Sequence, residues 1–100
     1  MLKRNGDEFT FGTHIYFRNL GRRNPVTGVE EPKRKTNLYG VWNNDEPDHP
    51  LGSILWNSGW RKYVFRPLAG TVYEETCLRE ISQFIEEETK AQKSKGKIQA

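Results

Sequence analysis

Residues 51–67 read Leu-Gly-Ser-Ile-Leu-Trp-Asn-Ser-Gly-Trp-Arg-Lys-Tyr-Val-Phe-Arg-Pro. Two apolar and aromatic runs, Leu51 to Trp56 and Trp60 to Phe65, flank Asn57-Ser58-Gly59, whose Asn and Gly tolerate the positive φ of a tight hairpin turn. The stretch therefore predicts two antiparallel strands, 51–57 and 60–66. Side chains alternate between the faces of a strand, so Ile54 and Trp56 lie opposite Leu55, and Arg61, Tyr63 and Phe65 lie opposite Trp60, Lys62, Val64 and Arg66. Both faces of the resulting sheet receive large rings.

Upstream, Thr36-Asn-Leu-Tyr-Gly-Val-Trp42 carries strand-forming residues and predicts a strand over 36–43, followed by a turn at Asn43-Asn-Asp-Glu-Pro-Asp-His-Pro50. Residues 9–20 predict one further strand. Phe9, Phe11, Ile15 and Phe17 fall on one parity and Thr10, His14, Tyr16 and Arg18 on the other, so the first set is expected to face the core. Residues 1–8 are polar and expected to be loosely held. Between these strands, residues 21–35 hold two Pro, two Gly and seven charges, which predicts a long connection with Arg22, Arg23, Lys33, Arg34 and Lys35 gathered at its ends.

Downstream, Cys77, Leu78, Ile81, Phe84 and Ile85 recur with helical spacing, which predicts an amphipathic helix from about Glu74 to Glu88, entered through a capping pattern at Thr71-Val-Tyr-Glu74. Cys77 lies on the apolar stripe and reads as a buried structural thiol. The expected architecture is α+β: a sheet of about four mainly antiparallel strands with the C-terminal helix packed on one face. With 100 residues the chain suits one domain over 1–89, followed by a Lys-rich flexible tail over 90–100. One helix covers one face, so the second aromatic face is expected to meet a ligand or partner, or another copy in a dimer or higher homo-oligomer.

The net charge of +3 is unevenly spread. Residues 1–73 carry eleven Lys/Arg and seven Asp/Glu, residues 74–88 carry Arg79 against six Glu, and residues 90–97 add four Lys. The body is only mildly attractive to polyanions. Asp45, Glu46, Asp48 and His49 are broken by Pro47 and fit no metal-loop spacing, and His14 has no sequence neighbours to form a ligand set, so no metal site is expected. No cofactor is expected either. The sequence holds no nucleophile–base pair, carboxylate pair or metal set, and an enzyme is not the reading it favours. No long apolar run and no apolar leader are visible, so a cytoplasmic protein without membrane partners is expected. The residues whose chemistry suits a ligand are Trp56, Trp60, Arg61, Tyr63 and Arg66 of the hairpin with Arg22 and Arg23 of the long connection, since flat rings stack on a base and guanidinium groups grip phosphate.

The ordered spacing Leu51-Gly52-x-Ile54-x-Trp56, Trp60-Arg61-x-Tyr63-x-Phe65-x-Pro67 and Cys77-Leu78-x-x-Ile81-x-x-Phe84-Ile85 resembles a group of short proteins encoded by bacteriophages, prophages and other mobile elements. The resemblance spans residues 51–85, with a weaker echo at Thr36 to Val41. It implies a phage-related origin and a host-cell cytoplasmic setting. Small accessory proteins of that kind often act in counter-defence, and the expectation that follows is a non-catalytic protein that sequesters a nucleotide-like, phosphate-bearing ligand. The alternatives are a small nucleic-acid-binding accessory protein and an inhibitor that docks on a host protein through its aromatic sheet face.

Overall fold

The structure is a computed structural model and describes residues 2–24, 26–31 and 33–98. Among these residues the chain forms β1 (Lys3–Asn5), β2 (Phe9–Phe11), β3 (Ile15–Asn19), β4 (Tyr39–Asn43), β5 (Glu46–Asn57), β6 (Lys62–Pro67) and α1 (Glu75–Ile98). The strands form one antiparallel sheet in the order of the sequence, and α1 lies across one face. The α+β class matches the sequence expectation, but the sheet has six strands where about four were expected.

The additional strands arise at the N-terminal end. Lys3–Asn5, within the segment expected to be loose, pairs with β2, and the single strand predicted over 9–20 is broken into β2 and β3. The break has a visible cause. Thr13, His14 and Ile15 all donate their backbone N–H groups to the buried carboxylate of Glu80 on α1, the last two at 3.1 and 3.3 Å. Three backbone donors, the Ile15 one buried, are thus satisfied by one anion. Gly12 opens this turn because a Cβ there would sit 2.6 Å from the Glu80 carboxylate.

The turn also corrects the predicted face of Phe9 and Phe11. Phe11 pairs with Tyr16 and Thr10 with Phe17, so odd positions before the turn share a face with even positions after it. Thr10, Ile15 and Phe17 face the helix, while Phe9 and Phe11 lie with Tyr16 and Arg18 on the opposite side.

The segment 43–50, expected to be wholly a turn, contributes only Asn44 and Asp45 to the turn between β4 and β5. Glu46 to Pro50 are extended and exposed, and register shifts beside Trp42 absorb the two prolines. The β5–β6 turn is likewise longer than predicted. Asn57 pairs with Lys62, leaving Ser58, Gly59, Trp60 and Arg61 as the loop. Asn57 closes it from both ends, its side chain accepting from the Trp60 N–H at 2.9 Å and its carbonyl from the Arg61 N–H at 2.8 Å. The positive φ falls on Arg61, at 56°, and not on Asn57 or Gly59. Trp60 and Arg61 therefore belong to the turn instead of opposite faces of a strand.

Helix α1 continues past the expected stop near Glu88 to Ile98, so the Lys-rich segment 90–98 extends the helix. Ala, Gln and Lys favour helix, and Lys90 pairs with Glu86 one turn back at 3.2 Å. Its N-cap is Glu74, whose side chain accepts from the Cys77 N–H at 2.7 Å, whereas Thr71 bonds back to the Leu68 carbonyl. On the buried stripe Leu78 gives way to Glu80: Leu78 is half exposed, while Glu80 reaches the β2–β3 turn. Cys77 is buried as expected.

The core between sheet and helix is aromatic. Phe17 stacks on Phe84 with ring centres 4.1 Å apart, and Tyr39 meets Phe84 edge-on at 5.0 Å. Ile15, Val41, Ile54, Cys77 and Ile81 fill the remainder. Seven of the twelve aromatic residues, Phe17, Tyr39, Trp56, Tyr63, Phe65, Tyr73 and Phe84, are committed to this side. The others need a different explanation.

Candidate functional site

Four of those remaining rings, Phe9, Phe11, Tyr16 and Trp42, lie together on the face of the sheet that no helix covers. Strand register arranges this face in two parallel rows. One runs Lys3, Phe11, Tyr16, Trp42 and Pro50 across β1 to β5; the next runs Asn5, Phe9, Arg18, Gly40, Ser53 and Arg66 across β1 to β6. Leu55 pairs with Val64, and Asn57 with Lys62, nearer the hairpin tip. None of these paired positions holds Asp or Glu, whereas Lys3, Arg18, Lys62 and Arg66 supply four cations.

The rings contact one another from strand to strand. Phe9 and Phe11 stack at 5.8 Å, Phe11 meets Tyr16 at 5.8 Å, and Tyr16 stacks on Trp42 at 5.5 Å with their planes 10° apart. Gly40, which has no side chain, gives the Trp42 ring room to lie over the second row, so that a Cβ at Gly40 would be 2.4 Å from the indole edge. Arg18 lies over the Phe9 ring at 5.7 Å while its Nε holds Glu8 at 2.9 Å. Its other guanidinium nitrogens carry further donors, and Arg66 is exposed at the end of its row. The face thus offers flat rings, cations and hydroxyl groups, which is the chemistry of base stacking and phosphate contact.

The residues singled out from sequence do not converge. Trp56 and Tyr63 lie on the helix side, in edge-to-face contact at 5.2 Å, and Tyr63 is 2% exposed. Burial raises the Tyr63 phenol above its ordinary pKa, and the strand edge at its backbone N–H is closed by Thr89 Oγ1 at 3.0 Å. Trp60, 70% exposed, and Arg61 project from the hairpin tip. Arg22 and Arg23 belong to the connection between β3 and β4, where Arg23 donates to the carbonyls of Leu20 and Gly28. Of the seven, only Arg66 joins the aromatic rows. Phe9 and Phe11 are misplaced because the parity of residues 9–17 reads as continuous, with Gly12 the available sign of a break; Tyr16 falls on the polar parity, and Trp42 lies in a stretch whose apolar residues fall on both parities.

The helix side holds a cavity of about 550 Å³ lined by Arg4, Asp7, Glu8, Asn19, Tyr39, Phe84, Glu88 and Lys95, among others. Its size suits a nucleotide but its charges do not. Three carboxylates oppose two cations, and Arg4 is already held by Thr10, Glu87 and Glu88 while lying over the Phe84 ring. Desolvation lowers the Arg4 pKa, but the two carboxylates outweigh it and the net shift is upward. Burial and the Glu88 carboxylate, bonded at 2.6 Å, push the Tyr39 phenol far above its ordinary value. This is a satisfied structural network.

Among the described residues no group of three or more His, Cys, Asp or Glu could hold a metal ion, and no helix is long and apolar enough to cross a membrane. Comparison with family models, with curated proteins and with solved structures finds no match for the chain.

Proposed function

We propose that this is a non-catalytic binding protein that holds a nucleobase- and phosphate-bearing ligand on the open face of its sheet. The reading rests on one observation: four contiguous rings, Phe9, Phe11, Tyr16 and Trp42, share a face with Lys3, Arg18, Lys62 and Arg66, of which Arg18 is paired with Glu8. Helix α1 packs on the other face of the sheet, where Glu80, Glu87 and Glu88 make their contacts. The ligand is thus taken on an exposed surface instead of the carboxylate-lined cavity. In the mobile-element setting implied by the resemblance, such a protein acts by occupying its ligand, which is a counter-defence role without chemistry.

The test is equilibrium binding of labelled mixed-sequence single strands and a panel of linear and cyclic nucleotides at low salt. Tyr16→Ala and Trp42→Ala are each expected to weaken binding by about 1–3 kcal/mol, the usual worth of one base–ring stack, while the protein stays folded. Full binding in the double variant would remove this face as the site. Closure of the face by a second copy is the competing outcome, and sedimentation identifies it: a dimer that becomes monomeric in the same two variants and binds no nucleotide or strand.

A further inference from the structure

Resting on that reading, the register of the sheet specifies more about the ligand. We infer that it is an unpaired nucleic-acid strand laid across the β-strands, with bases on the Phe11–Tyr16–Trp42 row and phosphates along Arg18, Ser53 and Arg66. The two rows are adjacent on the same face and run perpendicular to the strands, since Phe11 pairs with Tyr16 and Tyr16 with Trp42, while Arg18 pairs with Gly40, Gly40 with Ser53 and Ser53 with Arg66. Bases and backbone of one chain can therefore follow them in parallel.

The face suits an unpaired strand. Ring centres along the first row are 5.8 and 5.5 Å apart, so the rings form one continuous aromatic surface. A base can lie on that surface only where its own face is uncovered, which an unpaired strand permits and a duplex, whose base faces are already stacked, does not. The second row completes the arrangement. The Trp42 ring overlies Gly40 and floors the row between Arg18 and Ser53, and Arg66 stands exposed beyond Ser53. Arg66 at one end, the Ser53 hydroxyl, and the Arg18 guanidinium nitrogens other than the Nε that holds Glu8 suit successive phosphates. A mononucleotide would occupy one ring and one cation and leave the rest unused.

The experiment is fluorescence anisotropy with a labelled mononucleotide, trinucleotide, hexanucleotide and self-paired duplex of the same bases, each titrated with the intact chain over a range of salt. The expected result is at least a tenfold gain from mononucleotide to trinucleotide, a duplex at least tenfold weaker than the single strand, and, in Arg66→Ala, a salt dependence shallower by about one counterion. A mononucleotide bound as tightly as the hexanucleotide, or a duplex bound as tightly as the single strand, would overturn the strand inference while leaving a stacking site in place. An unchanged salt dependence in Arg66→Ala would remove the phosphate row. If no nucleotide of any length binds the wild-type protein, the stacking reading itself falls.

Discussion

The indole of Trp42 covers Gly40 so closely that a methyl group on Gly40 would lie 2.4 Å from the ring. Gly40→Ala should therefore lift Trp42 out of its place beside Tyr16, with a cost of roughly 1–3 kcal/mol for overpacking. Near-ultraviolet circular dichroism, sensitive to the Tyr16–Trp42 stack, checks the displacement, and denaturant unfolding checks the cost. A wild-type spectrum in the variant would mean that the ring does not rest on this glycine.

The β2–β3 turn depends on an anion supplied by the helix. Glu80→Gln replaces a carboxylate that accepts from Thr13, His14 and Ile15 with an amide whose NH2 group faces donors. Leaving these N–H groups short of an acceptor, the Ile15 one buried, should destabilise the protein by about 1–3 kcal/mol, read as a lower urea midpoint. Amide hydrogen exchange should rise first at residues 13–15. An unaltered midpoint would show that water replaces the carboxylate without loss.

Phe84 is 1% exposed and lies between Phe17 and Tyr39. Phe84→Ala removes a ring that neighbouring side chains cannot replace, and a loss of about 3–5 kcal/mol is expected on denaturant unfolding. Because the cavity would open on the helix side, ligand binding measured where the variant is still folded should remain close to that of the wild type. Binding lost in step with stability would instead tie the open face to the core.

Glu74 titrates in a way that gives a pH dependence. Backbone N–H groups of Cys77 and Thr76 hold its carboxyl at about 2, below its ordinary value of 4.5. A carboxylate depressed in this way contributes its stabilisation fully above the ordinary value and loses it as pH falls through the folded one. The thermal midpoint of the wild type should accordingly fall more steeply between pH 4.5 and 2 than that of Glu74→Gln, with the two curves parallel at neutral pH. Parallel curves across the whole range would remove Glu74 as the functional cap of α1.

Local pattern determined much of this protein. The apolar runs of residues 51–66 specified a hairpin, and Ile81, Phe84 and Ile85 at helical spacing specified the helix, because each depends on neighbours a few residues away. The α+β class followed from their order. Tertiary structure alone decided which rings were buried. A carboxylate on α1, more than sixty positions along the chain, folds Thr13 and His14 into a turn, and that turn reverses the face of Phe9 and Phe11. Period-2 alternation carries no information about such a reversal, since a strand and a hairpin with a two-residue turn can show the same spacing of apolar residues. The aromatic surface next to Arg18 and Arg66 exists only because distant strands are brought into register, whereas Trp56 and Tyr63, equally aromatic in sequence, are turned inward against the helix side.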